Sequence, residues 1–213
     1  MKKISVSYLS SKNIPSDLKK LDNTNCDYIH VDVMDSKFVS NKSLPWSEEK
    51  NIYKFTSKRL DVHLMVEEPY DYILKYASLN AEYITIHVEI EEDLVKLFEL
   101  IKSYSIKCGI AINPNTPISK LVPYLPYVDL ILVMSVYPGK GGQEFIEDSV
   151  DRINEIRDLI NTYKLDIEIS VDGGINNNTC NKCNSDILVS GSYVINSLDF
   201  SNSIDILRGD ISG

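Results

Sequence analysis

A chain of 213 residues that is 43% hydrophobic and 25% charged has enough apolar surface for one packed domain, and is neither disordered nor fibrous. Its net charge of −9 repels nucleic acid and anionic membrane, so any anionic substrate must be held by local donors. No glycine precedes Gly109, which excludes an N-terminal dinucleotide fingerprint or P-loop, and no apolar run reaches the ~18 residues of a membrane span.

The opening MKKISVSYLSSKN has a short apolar run and no small-residue cleavage site, so it reads as a strand and not a signal peptide. Further β-rich runs follow: ISVSYL (4–9), YIHVDVM (28–34), LDVHLMV (60–66), YITIHVE (83–89), KCGIAIN (107–113), LILVMSV (130–136), IEISVDG (167–173) and ILVSGS (187–192). Amphipathic stretches lie between them. Pro69 opens PYDYILKYASLN at a first-turn position. The segment 91–105 places Leu94, Leu97, Phe98 and Ile101 on one helical face, and 147–163 does the same with Val150, Ile153, Ile156, Leu159 and Ile160. Eight strands alternating with helices predict the α/β class and a (β/α)8 TIM barrel, a single compact domain over residues 1–213. An open doubly wound sheet is the structural alternative. The stretch 176–186 is short for a helix, so the outer layer is expected to be thin between strands seven and eight.

Active sites of such barrels lie at the C-terminal strand ends. His30 and Asp32 share one face of strand two by the period of two, strand three supplies His63, and strand seven ends in Asp172. Burying a carboxylate unpaired is costly, and two imidazoles with two carboxylates make a divalent metal site. Mixed nitrogen and oxygen donors suit Zn²⁺, Fe²⁺, Mn²⁺ or Co²⁺ alike. His87 reads as a core residue. Six of the nine glycines fall after strands six, seven and eight: Gly139, Gly141 and Gly142, then Gly173 and Gly174, then Gly191 beside Ser192. Backbone N–H groups in such loops bind phosphate, and YPGKGGQ (137–143) has the place of a lid. Of four cysteines, Cys180 and Cys183 have redox or zinc spacing, but no second pair or nearby histidine completes a site. Asp35 to Ser40 matches part of the D-x-K-x-x-D signature of orotidine-monophosphate-decarboxylase-like barrels. Ser40 replaces the final Asp and the segment follows strand two, so the match is coincidental.

Taken in order, HVDVMD (30–35), DVHLMV (61–66), INPNTP (112–117), VMSVYPGKGGQ (133–143), VDGGI (171–175) and VSGS (189–192) closely resemble the ribulose-phosphate 3-epimerase family. The chain itself reads as cytoplasmic, and the resemblance implies a homo-oligomer that interconverts D-ribulose 5-phosphate and D-xylulose 5-phosphate in the pentose phosphate pathway. It implies that His30, Asp32, His63 and Asp172 ligate one divalent metal, with Asp32 the proton acceptor and Asp172 the proton donor. Ser7, His63, Gly139, Lys140, Gly141, Gly142, Asp172, Gly173, Gly174, Gly191 and Ser192 are the implied substrate contacts, and Met34, Met65 and Met134 line the reaction site. Departures stand out at Ser36, at Ser40 where the family has the proline of FVPN, and at Lys140. Ser36 occupies the glycine position of the family's MDG segment, which puts that loop's geometry in question, and Lys140 replaces the phenylalanine of PGFGG, adding a positive charge for the phosphate. The alternatives are a sister D-allulose 6-phosphate 3-epimerase and a non-catalytic sugar-phosphate-binding barrel.

Overall fold

Eight parallel strands close on one another in chain order in the computed structural model, which describes residues 1–210. They are β1 (Lys3–Ser7), β2 (Tyr28–Met34), β3 (Arg59–Met65), β4 (Ala81–His87), β5 (Lys107–Ile112), β6 (Leu130–Met134), β7 (Glu168–Asp172) and β8 (Ile187–Ser190). Because β8 pairs with β1, the sheet has no edge and the doubly wound alternative falls. Around the barrel lie α1 (Ile14–Asp22), α2 (Trp46–Glu49), α3 (Tyr70–Ala77), α4 (Leu94–Ser103), α5 (Ser149–Tyr163), α6 (Ser192–Ile195) and α7 (Phe200–Arg208). The architecture is a (β/α)8 barrel. Among the described residues, no helix is long and apolar enough to cross a membrane.

The period of two sorts each strand into an outward apolar set and an inward set. On β2, Ile29, Val31 and Val33 join the main core under the helices, while Tyr28, His30, Asp32 and Met34 line the interior. Tyr28, Tyr83, Leu130 and Ile187 pack together at the N-terminal end and close the barrel floor. The interior thus grades from apolar below to ionisable at the mouth. On α4 the four expected positions Leu94, Leu97, Phe98 and Ile101 are all buried, and Asp93 caps the helix by accepting from Lys96 N–H. On α5, Ile153, Ile156 and Ile160 are buried, whereas Val150 and Leu159 are only half-buried.

The strand–helix alternation fails at two connections. Between β5 and β6 there are only 3-10 turns, Ile118–Lys120 and Val122–Tyr127, because Pro123 and Pro126 withhold the N–H donors an α-helix needs. Between β7 and β8 the chain forms turns alone, as the short 176–186 segment predicts. Cys180 and Cys183 lie there as free, buried thiols, with burial pushing Cys183 up to about 11. Their backbone carbonyls accept from Lys2 Nζ at 2.5 and 2.8 Å. They are packing residues that help hold the thin layer against the N-terminus.

Among the described residues Gly109 is the lone glycine inside a strand, and its neighbour explains it. A Cβ at this position would collide with the Thr85 side chain, which fills the interior from β4. Overfilling a packed interior costs about 1–3 kcal/mol. Gly109→Val is therefore expected to lower the urea midpoint without changing the slope of the unfolding transition, as measured by far-UV circular dichroism.

Candidate functional site

Three strands bring four ionisable side chains to one point at the C-terminal mouth of the barrel. β2 delivers His30 and Asp32, β3 delivers His63 in register opposite Asp32, and β7 ends in Asp172. One ligand atom from each lies within 4.8 Å of the other three. His30 Nε2 is 3.4 Å from Asp32 Oδ1 and 3.9 Å from Asp172 Oδ2, and His63 Nδ1 is 3.5 and 3.9 Å from the same two oxygens. Both imidazoles are fully buried. The four residues read from the sequence as a metal set therefore do converge.

The far sides of the rings are anchored. His30 Nδ1 lies 2.8 Å from Asp61 Oδ2, which also accepts the Ser5 hydroxyl at 2.8 Å. A carboxylate accepts only, so His30 carries its proton on Nδ1 and turns the Nε2 lone pair toward the cluster. His63 Nε2 lies 2.8 Å from His87 Nε2, and His87 Nδ1 lies 2.9 Å from Glu89 Oε2. The Ser7 hydroxyl donates to Asp32 Oδ2 at 2.7 Å and holds that carboxylate in place. Asp61 was not singled out from the sequence, although it lies two residues before His63 and so shares its face. His87 is indeed a buried core residue, but it is bonded directly to His63.

The free atoms at the centre are the informative ones. His30 Nε2 and His63 Nδ1 are buried and have no hydrogen-bond partner. Two imidazole nitrogens facing two carboxylates require a proton or a metal cation among them, and this donor set fits a divalent metal ion. The same crowding shifts the protonation states. Burial alone would raise Asp32, but His30 and His63 hold it far below the usual carboxylate range. Burial, then the neighbouring Asp32 charge, pushes Asp172 up to about 7. Burial opposes a charge on His30, yet Asp61 and Asp32 outweigh it and raise that ring well above its ordinary value.

Above the cluster opens a cavity that gathers the remaining sequence candidates: Ser7, Asp32, Asp172, Gly139, Lys140, Gly141, Gly142, Gly173, Gly174, Gly191 and Ser192 all line it. Met34, Met65 and Met134 supply its apolar wall. Gly174 has φ +64°, and a Cβ there would strike the backbone of Phe145, so no other residue fits. In the 137–143 loop, Gln143 Nε2 donates to the carbonyls of Tyr137 and Lys140 at 2.7 and 2.9 Å, bracing the loop internally.

With this geometry in view, the comparisons with known proteins are decisive. The chain matches the family model described as "Ribulose-phosphate 3 epimerase family" over residues 3–195. The chain belongs to the ribulose-phosphate 3-epimerase family. Proteins named ribulose-phosphate 3-epimerase from Chlamydia pneumoniae and Bacillus subtilis are 36% and 34% identical to it. The first alignment covers 92% of this chain and 88% of the relative, the second 98% and 99%. Among solved structures, KGPDC from Streptococcus mutans superposes with a TM-score of 0.71, covering 100% of both chains at 9% identity, a likeness of fold alone.

Within the epimerase family pattern, the departures at Ser36 and Lys140 both lie at the mouth. Ser36 adopts φ +65°, the left-handed region glycine enters freely, at a cost of roughly 1–2 kcal/mol for a residue with a Cβ. The loop keeps its shape because Asp35 accepts from the N–H groups of Lys37, Phe38 and Glu67, while Ser36 N–H donates to Asn41 C=O. Lys140 is exposed at the cavity edge.

The raised Asp172 has a consequence for the metal-free protein. An acid whose folded pKa of about 7 exceeds its unfolded value of 3.8 destabilises the fold increasingly as pH rises between those values. Asp172→Asn removes that penalty. The melting temperature of metal-stripped Asp172→Asn relative to metal-stripped wild type is expected to rise from about pH 4 to about pH 7 and then level off, as read by scanning calorimetry.

Proposed function

We propose that this chain is a ribulose-phosphate 3-epimerase, interconverting D-ribulose 5-phosphate and D-xylulose 5-phosphate in the pentose phosphate pathway. The observation that carries this reading is the pairing of Asp32 and Asp172 at a cation-demanding cluster beneath a cavity lined by glycines of three loops. His30, Asp32, His63 and Asp172 would hold one divalent ion, of zinc, iron, manganese or cobalt type by their donor set. When bound, it supplies Lewis-acid stabilisation of the negative charge that develops on the substrate oxygens.

Epimerisation next to a ketone removes a proton from one face of a carbon and returns one to the other. Asp32, held ionised, is suited to accept the proton from D-ribulose 5-phosphate. Asp172, whose proton affinity is raised by burial and by the neighbouring Asp32 charge, is suited to deliver one to the opposite face. In the reverse direction the two exchange roles. Ser7 fixes the Asp32 carboxylate through its hydroxyl, and the planar enediolate lies against Met34, Met65 and Met134, which are buried and exclude water from it. The backbone N–H groups around Gly173, Gly174, Gly191 and Ser192 receive the phosphate, with Gly139 to Gly142 covering it. Lys140 adds the positive charge that a protein of net −9 otherwise lacks there. The family reading also assigns the protein to the cytoplasm as a homo-oligomer whose partner is a small sugar phosphate and not a nucleic acid or membrane.

Loss of one proton-transfer group removes about 10²–10⁴-fold of rate, so Asp32→Asn and Asp172→Asn should each lose at least that much kcat in a coupled epimerase assay. Both should retain the far-UV spectrum of the wild type. Wild-type rates in either variant would overturn the assignment, and faster turnover of D-allulose 6-phosphate than of the pentose phosphate would assign the sister activity. Removal of divalent metal by a chelator should abolish activity, and adding the ion back should restore it. For Lys140→Phe, KM should rise at low ionic strength and lose the salt dependence shown by the wild type.

A further inference from the structure

The metal reading leaves one buried polar chain without a role: His63, His87 and Glu89. His87 and Glu89 repeat on β4 and the residues after it the spacing of His30 and Asp32 on β2, an H-V-[D/E] tripeptide with both acidic and imidazole groups on one face. Yet His87 is fully buried behind His63, stacked on it at 4.9 Å between ring centroids, and reaches no substrate surface. Phe38 covers its other flank at 4.6 Å.

We propose that Glu89 is a positioning residue which, acting through His87, fixes the tautomer of His63 so that the Nδ1 lone pair faces the metal centre. The argument is one of donors and acceptors. Glu89 Oε1 already accepts the Asn113 N–H at 2.8 Å, and Oε2 meets His87 Nδ1 at 2.9 Å. A carboxylate has no proton to give, so His87 must carry its proton on Nδ1. Two ring nitrogens 2.8 Å apart share a single proton, and placing it on His63 leaves each ring singly protonated without separating charge. His87 Nε2 is then an acceptor, and the 2.8 Å contact requires His63 to donate from Nε2. Nδ1 of His63 is left bare, which is the orphaned atom found 3.5 Å from Asp32. Glu89 thereby determines a ligand atom two hydrogen bonds away without touching the metal or the substrate.

The same geometry makes glutamine at position 89 an inverter. The Asn113 N–H demands an acceptor, so the amide oxygen of Glu89→Gln must face it and the amide NH₂ must face His87. His87 would then accept at Nδ1 and donate from Nε2, and His63 would accept at Nε2 and carry its proton on Nδ1, where a metal ligand is needed. No atom is lost from the site, yet one of its four donors is blocked.

The inference rests on the cluster being a metal centre, and the test separates the two. Co²⁺ is titrated into metal-stripped full-length protein and followed by its visible absorption, for wild type, Glu89→Gln and Glu89→Ala. Loss of an outer-shell partner typically weakens metal binding about 10–100-fold, and Glu89→Gln is expected to fall in that range. Glu89→Ala, which imposes neither tautomer, should bind Co²⁺ more tightly than Glu89→Gln. A role in packing alone gives the opposite order, since glutamine matches the shape of glutamate, and that order would overturn the proposal. Nitrogen-15 spectra of the metal-stripped proteins supply a readout independent of binding, with only three histidines to assign. His63 should be protonated on Nε2 in the wild type and on Nδ1 in Glu89→Gln. An unchanged His63 tautomer, or equal Co²⁺ affinity in wild type and Glu89→Gln, would overturn the tautomer lock while leaving the metal centre standing. A wild type that takes up no Co²⁺ would overturn both.

Discussion

Two carboxylates and two bare imidazole nitrogens confined within a few ångströms cannot rest beside one another without a positive charge among them. The rest of this barrel is organised around that constraint. The closed sheet supplies rigidity, because strands bonded on both sides cannot splay to relieve the repulsion. The inward face of β2 alternates with an apolar outward face, so the residues that crowd the centre are carried by a strand whose other side is fastened into the main core. Repulsion is thus held in place by hydrophobic burial elsewhere, the usual relation between a functional site and the scaffold that carries it.

The same crowding divides labour between groups of identical chemistry. Asp32 and Asp172 are both aspartates at strand ends, but one is surrounded by two imidazoles and a serine hydroxyl while the other faces mainly burial and the first carboxylate. Their proton affinities separate for that reason alone. A reaction that needs one carboxylate to take a proton and another to give one is served by unequal surroundings, without a second kind of residue.

Much of this was legible in the sequence, for identifiable reasons. The tripeptide His30-Val31-Asp32 announces itself because ionisable residues alternating with valine inside a strand have few bland explanations. The glycine clusters mark the loops because this chain uses glycine so sparingly. Other features were hidden. Asp61 and Glu89 act through hydrogen bonds to ring nitrogens, and a spacing of two residues does not say which nitrogen is reached. The absence of a helix between β5 and β6 follows from Pro123 and Pro126, and the regular recurrence of strands does not reveal it. Ser36 shows the limit of motif reasoning: the residue differs from the glycine of the motif, yet the backbone takes the left-handed turn that glycine would.

The mouth of the barrel holds one bond that joins its two functional halves. Asn41 Nδ2, in the loop after β2, donates to the carbonyl of Gly139 in the loop after β6 at 2.6 Å. One loop belongs to the strand that carries His30 and Asp32, the other to the glycine segment at the edge of the cavity. A closed sheet offers no shared edge along which such distant strands can communicate, so the connection has to span the opening itself. A shift of either loop is consequently passed to the other through this one bond.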